Sequence, residues 1–389
     1  MITSSAMLPD CYRNGKLISH KEIFGIPTTV IDVPYSNYMS YSERILSFAR
    51  FAILSSWEAM RCRGDVVFAT STPLTIAIPG ILSSWWQRIP LVFEVRDLWP
   101  DLPISVGALR NPLSKFLARK LELLAYRASS RVIALSPGMA EGVIRQGTPE
   151  GKIAVIPNSC DVDIFNVPAS QGMYVRSKLK GVSDKSPLVV YAGTFGRING
   201  IEYLVKVAAA MQKISPDVCF LLVGSGAQKA AVAAKAASMG VLERNMWIWE
   251  PLPKSEMPSV MSAATVVTSI FAPLKSMWNN SANKFFDALA AGKPVAINYE
   301  GWQAELLNNS GAGIVIPQAN HVVAAELLAS FVHDRSKLQK ASAAARDLAR
   351  TRFNRDLLAK QFEMVLQQAV SGRKYPIDTC IGRRPERPS

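Results

Sequence analysis

Short apolar runs, each followed by a glycine-bearing or polar loop and then by apolar positions at helical spacing, recur along this chain. Residues 188–192 (LVVYA) form one such run, bounded by Gly193, Gly196 and Gly200. Behind them Ile201, Leu204, Val205, Ala208 and Met211 fall on one face of a helix. About thirty residues later LLV at 221–223 enters a second loop, Gly224-Ser225-Gly226. Earlier runs at 131–136 (RVIALS) and 152–157 (KIAVIP) repeat the strand pattern. Strands alternating with helices predict an α/β protein with parallel sheets, in which ligands gather at strand carboxyl ends.

Residues 279–295 (NNSANKFFDALAAGKPV) place a polar, lysine-bearing loop before a short helix that Gly292-Lys293-Pro294 ends. The first N–H groups of a helix lack intrahelical partners and the macrodipole is positive there, so such a start can hold a phosphate, with Lys284 adding a full charge. The same residues also fit an ordinary surface helix capped by Ser281 or Asn283. The glycine loops at 193–200 and 224–226 let a ligand approach the backbone. They equally suit the packing of a helix on a strand.

A length of 389 residues predicts two domains, each large enough for its own core. The first spans 1–168. Residues 168–187 read as a polar, loop-like connection, and a second α/β domain fills 187–352. Residues 353–370 carry Leu357, Leu358, Phe362, Val365 and Leu366 at helical spacing, and 371–389 form a basic tail with Arg373, Lys374 and Arg383. No internal repeat points to a solenoid.

Five cysteines, at 11, 62, 160, 219 and 380, lack metal-like or disulfide-like spacing, and His20, His321 and His333 stand apart. No charged-then-apolar leader opens the chain and no apolar run suffices to span a bilayer, so a secreted or membrane-spanning protein is disfavoured. The net charge of +14 implies an acidic partner. Residues 41–63 carry Ile45, Phe48, Ala49, Ala52, Ile53 and Met60 along an apolar stripe, flanked by Arg44, Arg50, Arg61 and Arg63. That helix can lie in a membrane interface, with Arg50 and Trp57 touching lipid, or pack on a sheet with its arginines in solvent. Trp85 and Trp86 beside Arg88 fit an interfacial anchor. Basic-aromatic interleaving and helix-turn-helix signals are missing, so anionic lipid or diphosphate substrates explain the charge better than nucleic acid.

Residues 93–101 (FEVRDLWPD) leave an apolar strand for a loop holding Glu94, Arg96, Asp97 and Asp101. That density of charge at a strand end suits a site, although Trp99-Pro100 would also suit rigid packing.

Taken together, YAGTFGRINGIEYL, LLVGSGAQ, NKFFDALAAGKPVAIN and GWQAELLNNSGAGIVI resemble the retaining family 4 glycosyltransferases of the GT-B type, and in particular bacterial enzymes of O-antigen, capsule and exopolysaccharide synthesis. FEVRDLWPDLPISVGAL is similar to the N-acetylfucosaminyltransferase-like branch. The resemblance implies two Rossmann-like domains facing across a cleft, with a last helix crossing back to the first. Against the family pattern this chain looks amino-terminally shortened, lacking a first strand and helix of the first domain. The resemblance further implies a nucleotide-sugar donor, a UDP-sugar in the first instance, and no cofactor or metal. The acceptor would be a lipid-diphosphate-linked saccharide at the cytoplasmic face of the plasma membrane.

Within that pattern Gly193, Thr194, Phe195, Gly196 and Arg197 would approach the diphosphate, and Gly224 and Gly226 the nucleoside. Thr194 and Asn199 stand where the family often has Arg and Lys, so Arg197 and Lys284 become the replacement cations. The family's paired glutamates fall at Asn279 and Asp287, which would bind sugar hydroxyls together with Asn283 and Glu305. Asp97 would orient or deprotonate the acceptor hydroxyl, and Arg96 would hold the acceptor phosphate. The lost charges also fit a non-catalytic nucleotide-sugar-binding or scaffold protein descended from such an enzyme. A GT-B epimerase or a sugar phosphorylase fits less well, since their acidic, histidine or pyridoxal-lysine sites have no match.

Overall fold

The computed structural model describes residues 1–372 except 10, 11, 13, 14, 37, 38, 72 and 108. Cys11, Cys380 and the basic residues from Arg373 on, expected to form a solvated tail, lie outside the described residues. The chain divides into two compact units, one holding Met1–Ile156 and the end of the last helix from Gln361, the other Pro157–Lys360. Both are α/β units with parallel sheets.

In the first unit, strands β1 (Ile2–Ser4), β2 (Ile18–Ile23) and β3 (Ile26–Ile31) form one sheet in the order β1-β3-β2, with β1 parallel and β2 antiparallel to β3. Helix α1 (Tyr41–Arg61) starts at a capping box in which Ser40 and Glu43 satisfy each other's backbone. A second sheet, wholly parallel and ordered β4-β5-β6-β7, consists of β4 (Val67–Ser71), β5 (Leu91–Val95), β6 (Arg131–Ala134) and β7 (Ile153–Val155). Its connections are α2 (Ala77–Gln87), α3 (Asp101–Ser105), α4 (Pro112–Ala128) and α5 (Pro137–Arg145). Leu91, Phe93 and Val132 of the sheet pack with Ile81, Ala125 and Tyr126 of the helices. Helix α1 lies against α2, which in turn packs on β4 and α4, but the positions α1 buries are Ser47, Ala52, Ser55, Ser56 and Glu58, whereas Ile45 and Ile53 of the expected apolar stripe are exposed at 56% and 70%.

The second unit opens with α6 (Val162–Phe165) and α7 (Ala169–Ser177). The expectation of a loop across 168–187 is thus corrected at its start. The polar sequence of α7 hid the helix, which is held by packing on α10 (Met257–Ala263), with Gly172 flush against the backbone of Ser262 and Ala263. The sheet is a six-stranded parallel one in the order β10-β9-β8-β11-β12-β13. Its strands are β8 (Leu188–Ala192), β9 (Cys219–Val223), β10 (Met246–Trp249), β11 (Val266–Ser269), β12 (Val295–Ile297) and β13 (Gly313–Val315). Fully buried positions dominate β8, β9 and β11, as expected of strands covered on both faces. Helices α8 (Glu202–Ile214), α9 (Lys229–Ser238), α11 (Asn283–Ala290), α12 (Trp302–Ser310), α13 (His321–His333) and α14 (Arg335–Thr351) complete it. Helix α15 (Arg355–Ser371) starts in this unit and its later residues group with the first, where Phe362 meets Phe68 edge-on at 4.8 Å.

The strand order turns at β8, flanked by β9 on one side and β11 on the other. Loops leaving these central strands at their carboxyl ends form the natural ligand crevice of such a sheet.

Candidate active site

The loops after β8 and β9 are knitted together beyond the end of the ladder. Gly193 N–H donates to the Val223 carbonyl at 3.0 Å, and Phe195 N–H to the Ser225 carbonyl at 2.8 Å. The Phe195 carbonyl accepts from Gln228 N–H at 2.9 Å. At Gly224, with φ of 147°, any Cβ would fall 1.9 Å from the Gly193 carbonyl oxygen. Glycine is there to let one loop lie on the other. Gly224 is buried accordingly, so what the pair offers a ligand is the exposed edge at Gly193, Thr194, Arg197 and Ser225.

Phe195 requires a correction at the level of its side chain. It is fully buried, edge-on to Tyr191 with ring centroids 6.0 Å apart, and cannot touch a donor. An aromatic between two glycines looks like a loop residue in sequence, but the ring is the plug that fixes the loop to the core.

Lys284 sits where three loops converge. Its ammonium donates to Asn199 Oδ1 at 2.9 Å and to the Ile270 carbonyl at 3.4 Å, and lies over the rings of Tyr191 at 4.9 Å and Phe271 at 4.7 Å. No carboxylate pairs with it among the described residues. Desolvation by these neighbours pulls its pKa down to about 7. Phe271 is pinned by buried Asn298, whose Oδ1 accepts from Phe271 N–H at 2.9 Å and whose Nδ2 donates to Phe271 O at 3.0 Å. Tyr191 donates through its hydroxyl to the Thr194 carbonyl at 2.9 Å, holding the loop after β8. Tyr191, Phe271 and Asn298 were not singled out in the sequence. Only the apolar run at 188–192, which contains Tyr191, hinted at any of them.

Helix α11 begins beside Lys284 without a side-chain cap, its N-cap being Ala282. Ser281, one of two expected caps, instead accepts from Asn158 N–H through Oγ and from Asn158 Nδ2 through its carbonyl. Asn283, the other, is exposed as the first residue of the helix. The N–H groups of Asn283 and Lys284 are thus left for a ligand or solvent. One turn on, Asp287 has its pKa raised to about 6 by burial, with Lys254 lowering it and Asp161 raising it. Asn279 ends a short 3-10 turn, Lys275–Asn279, and Glu305 is exposed in the first turn of α12. The structure gathers the loops after β8, β9 and β11 with α11; Asn279 stands on that same loop after β11, and Glu305 on the connection after β12.

Arg96 and Asp97 belong to the first unit, just past β5. Thr70 Oγ1 donates to Glu94 Oε2 at 2.5 Å and Arg96 lies 3.8 Å from the same oxygen, while Arg96 N–H donates to Ser71 Oγ at 3.0 Å. Glu94 is occupied in this way and Asp97 is not. Burial raises the Asp97 pKa to about 6 against the lowering effect of Arg96, the range in which a carboxylate serves as a base near neutral pH. The four expected membrane-facing residues are all exposed, with Trp57 of α1 at 55% and Trp85 and Trp86 of α2 at 58% and 73%, and Arg50 of α1 exposed as well. No helix is long and apolar enough to cross a membrane, and no metal-binding cluster occurs among the described residues.

Two family models match the chain, a glycosyl transferase 4-like domain over residues 21–159 and glycosyl transferases group 1 over residues 177–348, together most of its length. The alpha-maltose-1-phosphate synthase of Mycolicibacterium smegmatis is 26% identical over 302 residues, covering 73% of this chain and 74% of that protein. A probable glycosyltransferase WbjE of Pseudomonas aeruginosa is 22% identical, covering 68% of this chain and 66% of its own. The crystal structure of Anabaena HepE in complex with UDP-glucose superposes with a TM-score of 0.69 at 20% identity, over 88% of this chain and 86% of that one.

Proposed function

This chain belongs to the two-domain glycosyltransferases, and on that footing we propose that it moves a sugar from a UDP-sugar to a lipid-diphosphate-linked saccharide, with retention of configuration. The observation that carries the reading is Lys284, an ammonium without a carboxylate partner among the described residues, held at the crevice of the second sheet at an uncapped helix start. A departing nucleoside diphosphate needs cationic or N–H stabilisation of its growing charge, and both are present there. Lys284 donates to Asn199, which occupies a position where the resembled family carries a lysine. Lys284 and Arg197 would supply the cations missing at Thr194 and Asn199. Asp287, Asn279, Asn283 and Glu305 would take donor hydroxyls.

In this reading Asp97 orients the acceptor hydroxyl or accepts its proton, and Arg96 binds the acceptor phosphate. The elevated pKa of Asp97 suits such a base, since it still ionises below neutral pH. An acceptor on a lipid places the enzyme at the cytoplasmic face of a membrane. Exposed Trp57, Trp85 and Trp86 on α1 and α2, together with exposed Arg50 on α1, support that site of action, as does the net charge of +14. The match of both units to glycosyl transferase family models favours this chemistry over an epimerase or phosphorylase.

The test is transfer itself. The full chain is incubated with a panel of radiolabelled UDP-sugars and an undecaprenyl-diphosphate-linked saccharide, and the lipid product is extracted. Incorporation of label from one donor is expected, abolished by Asp97→Asn and sharply lowered by Lys284→Ala. Binding of UDP without transfer from any donor would instead favour the nucleotide-sugar-binding scaffold, and absence of UDP binding would sink both.

A further inference from the structure

The second unit has a pair of adjoining cavities at the end of its sheet where β11 and β12 begin, opposite the ends that carry the donor loops. Helix α11 runs from the ligand end of the sheet back to the start of β12, and its Gly292-Lys293 turn forms the wall that the two cavities share. Their volumes are 310 Å³ and 430 Å³. Arg346 and Ser342 of α14 line both, Arg350 lines the first, and Arg335 the second. Arg335, Ser342, Arg346 and Arg350 follow helical spacing, so they form one stripe of α14 facing α11.

No aspartate or glutamate lines either cavity, and Arg335, Arg346 and Arg350 have no carboxylate partner among the described residues. Three arginines open to solvent therefore border the cavities around one buried lysine. The pKa of Lys293 falls to about 8, chiefly through burial and then through the nearby charges of Arg176 and Arg346. Part of the arrangement is architectural. Lys293 Nζ donates to the Ser262 carbonyl at 2.7 Å, and the side chain of Arg346 lies across Gly292, where a Cβ would come within 2.6 Å of its Cγ and 2.9 Å of its Nη1. Those contacts occupy Lys293 and one edge of Arg346, and leave Arg350 and the rest of the Arg346 fork open to the cavity. Phe165 and Val167 add an apolar wall to the first cavity.

We propose that this paired cavity is a binding site for a small organic phosphate, its phosphate held by Lys293, Arg346 and Arg350 and its body resting on Phe165. Arginine forks match phosphate oxygens, and an apolar wall favours an ester over the bare ion. The site is separate from the donor crevice and does not depend on the transferase reading.

Phenyl phosphate and inorganic phosphate are titrated calorimetrically into the full chain, its Lys284→Ala variant and an Arg346→Ala/Arg350→Ala double variant whose folding is checked by thermal melting. Phenyl phosphate should bind more tightly than inorganic phosphate, unchanged in Lys284→Ala and weakened tenfold or more in the double variant. If the double variant does not fold, Ser342→Glu, which puts a carboxylate in both cavities, should produce the same loss. Binding abolished by Lys284→Ala yet untouched by the α14 substitutions would assign all anion affinity to the donor crevice and overturn the proposal. So would the absence of binding in every form of the protein.

Discussion

Lys284 owes its chemistry to two aromatic rings and an amide oxygen that the sequence puts far from it. With its pKa lowered to about 7, it is largely neutral at pH 8 in the free protein. A diphosphate beside it favours the charged form, so UDP binding at pH 8 should take up close to one proton, read from calorimetric heats in buffers of different ionisation enthalpy. Lys284→Met should abolish that uptake. Replacement by alanine should raise the donor KM or lower kcat by about tenfold or more, from the roughly 1.5–3 kcal/mol of a charge-assisted hydrogen bond; unchanged steady-state kinetics would remove Lys284 from the site. Asp97 behaves oppositely. Its pKa is raised from 3.8 to about 6, so the native state holds the proton more firmly than the unfolded chain, and stability falls as pH rises through that window. Asp97→Asn should therefore raise Tm at pH 7, by about 2 °C or more, while removing activity. In the native enzyme kcat/KM should climb with pH through about 6, as the base ionises. The charge of Lys284 and the carboxylate of Asp97 were legible in the sequence from their loop contexts. Their titration was not, because desolvation depends on neighbours such as Phe271 that fold in from elsewhere.

At the scale of elements, glycine loops after β8 and β9 were legible as places of close approach, but what approaches was not. Gly224 meets the Gly193 carbonyl, and Gly200, with φ of 58°, lies against the backbone of Ala272. Gly224→Ala should destabilise the second unit by about 2–4 kcal/mol, since the strained φ and the backbone overlap add, and denaturant melts would measure it. A loss below 1 kcal/mol would mean that the loops part easily, and the glycine would then be free to serve the ligand instead. Phe195 teaches the same lesson. A glycine pattern announces a loop, whereas the burial of one ring within it follows from the core beneath. The helix at Ala169–Ser177 escaped a reading based on composition because its stability comes from contact with α10 and not from a strong amphipathic pattern of its own.

For the molecule as a whole, the net charge of +14 and the exposed tryptophans of α1 and α2 belong to one prediction. The protein should sediment with vesicles containing anionic lipid and not with neutral ones, and salt should weaken the association by screening. Trp85→Ala with Trp86→Ala should lower vesicle affinity by about tenfold or more without lowering Tm, because both side chains are exposed in the fold. Equal sedimentation with both kinds of vesicle, or with the double variant, would remove the membrane from the proposed function. Two α/β units and parallel sheets could be read from the sequence because apolar runs and helical spacing are local signals, repeated often enough to leave one architecture. So could the loops that carry the candidate donor site, since loops at strand carboxyl ends are where such a sheet is open. Tertiary structure alone decided which polar groups share those openings: Lys284 with Asn199, an uncapped α11 with Ser281 turned to Asn158, and a stripe of arginines on α14 facing the turn at Lys293. Periodicity reports which face of an element is buried, and the register between distant elements, set by packing, determines what that face meets.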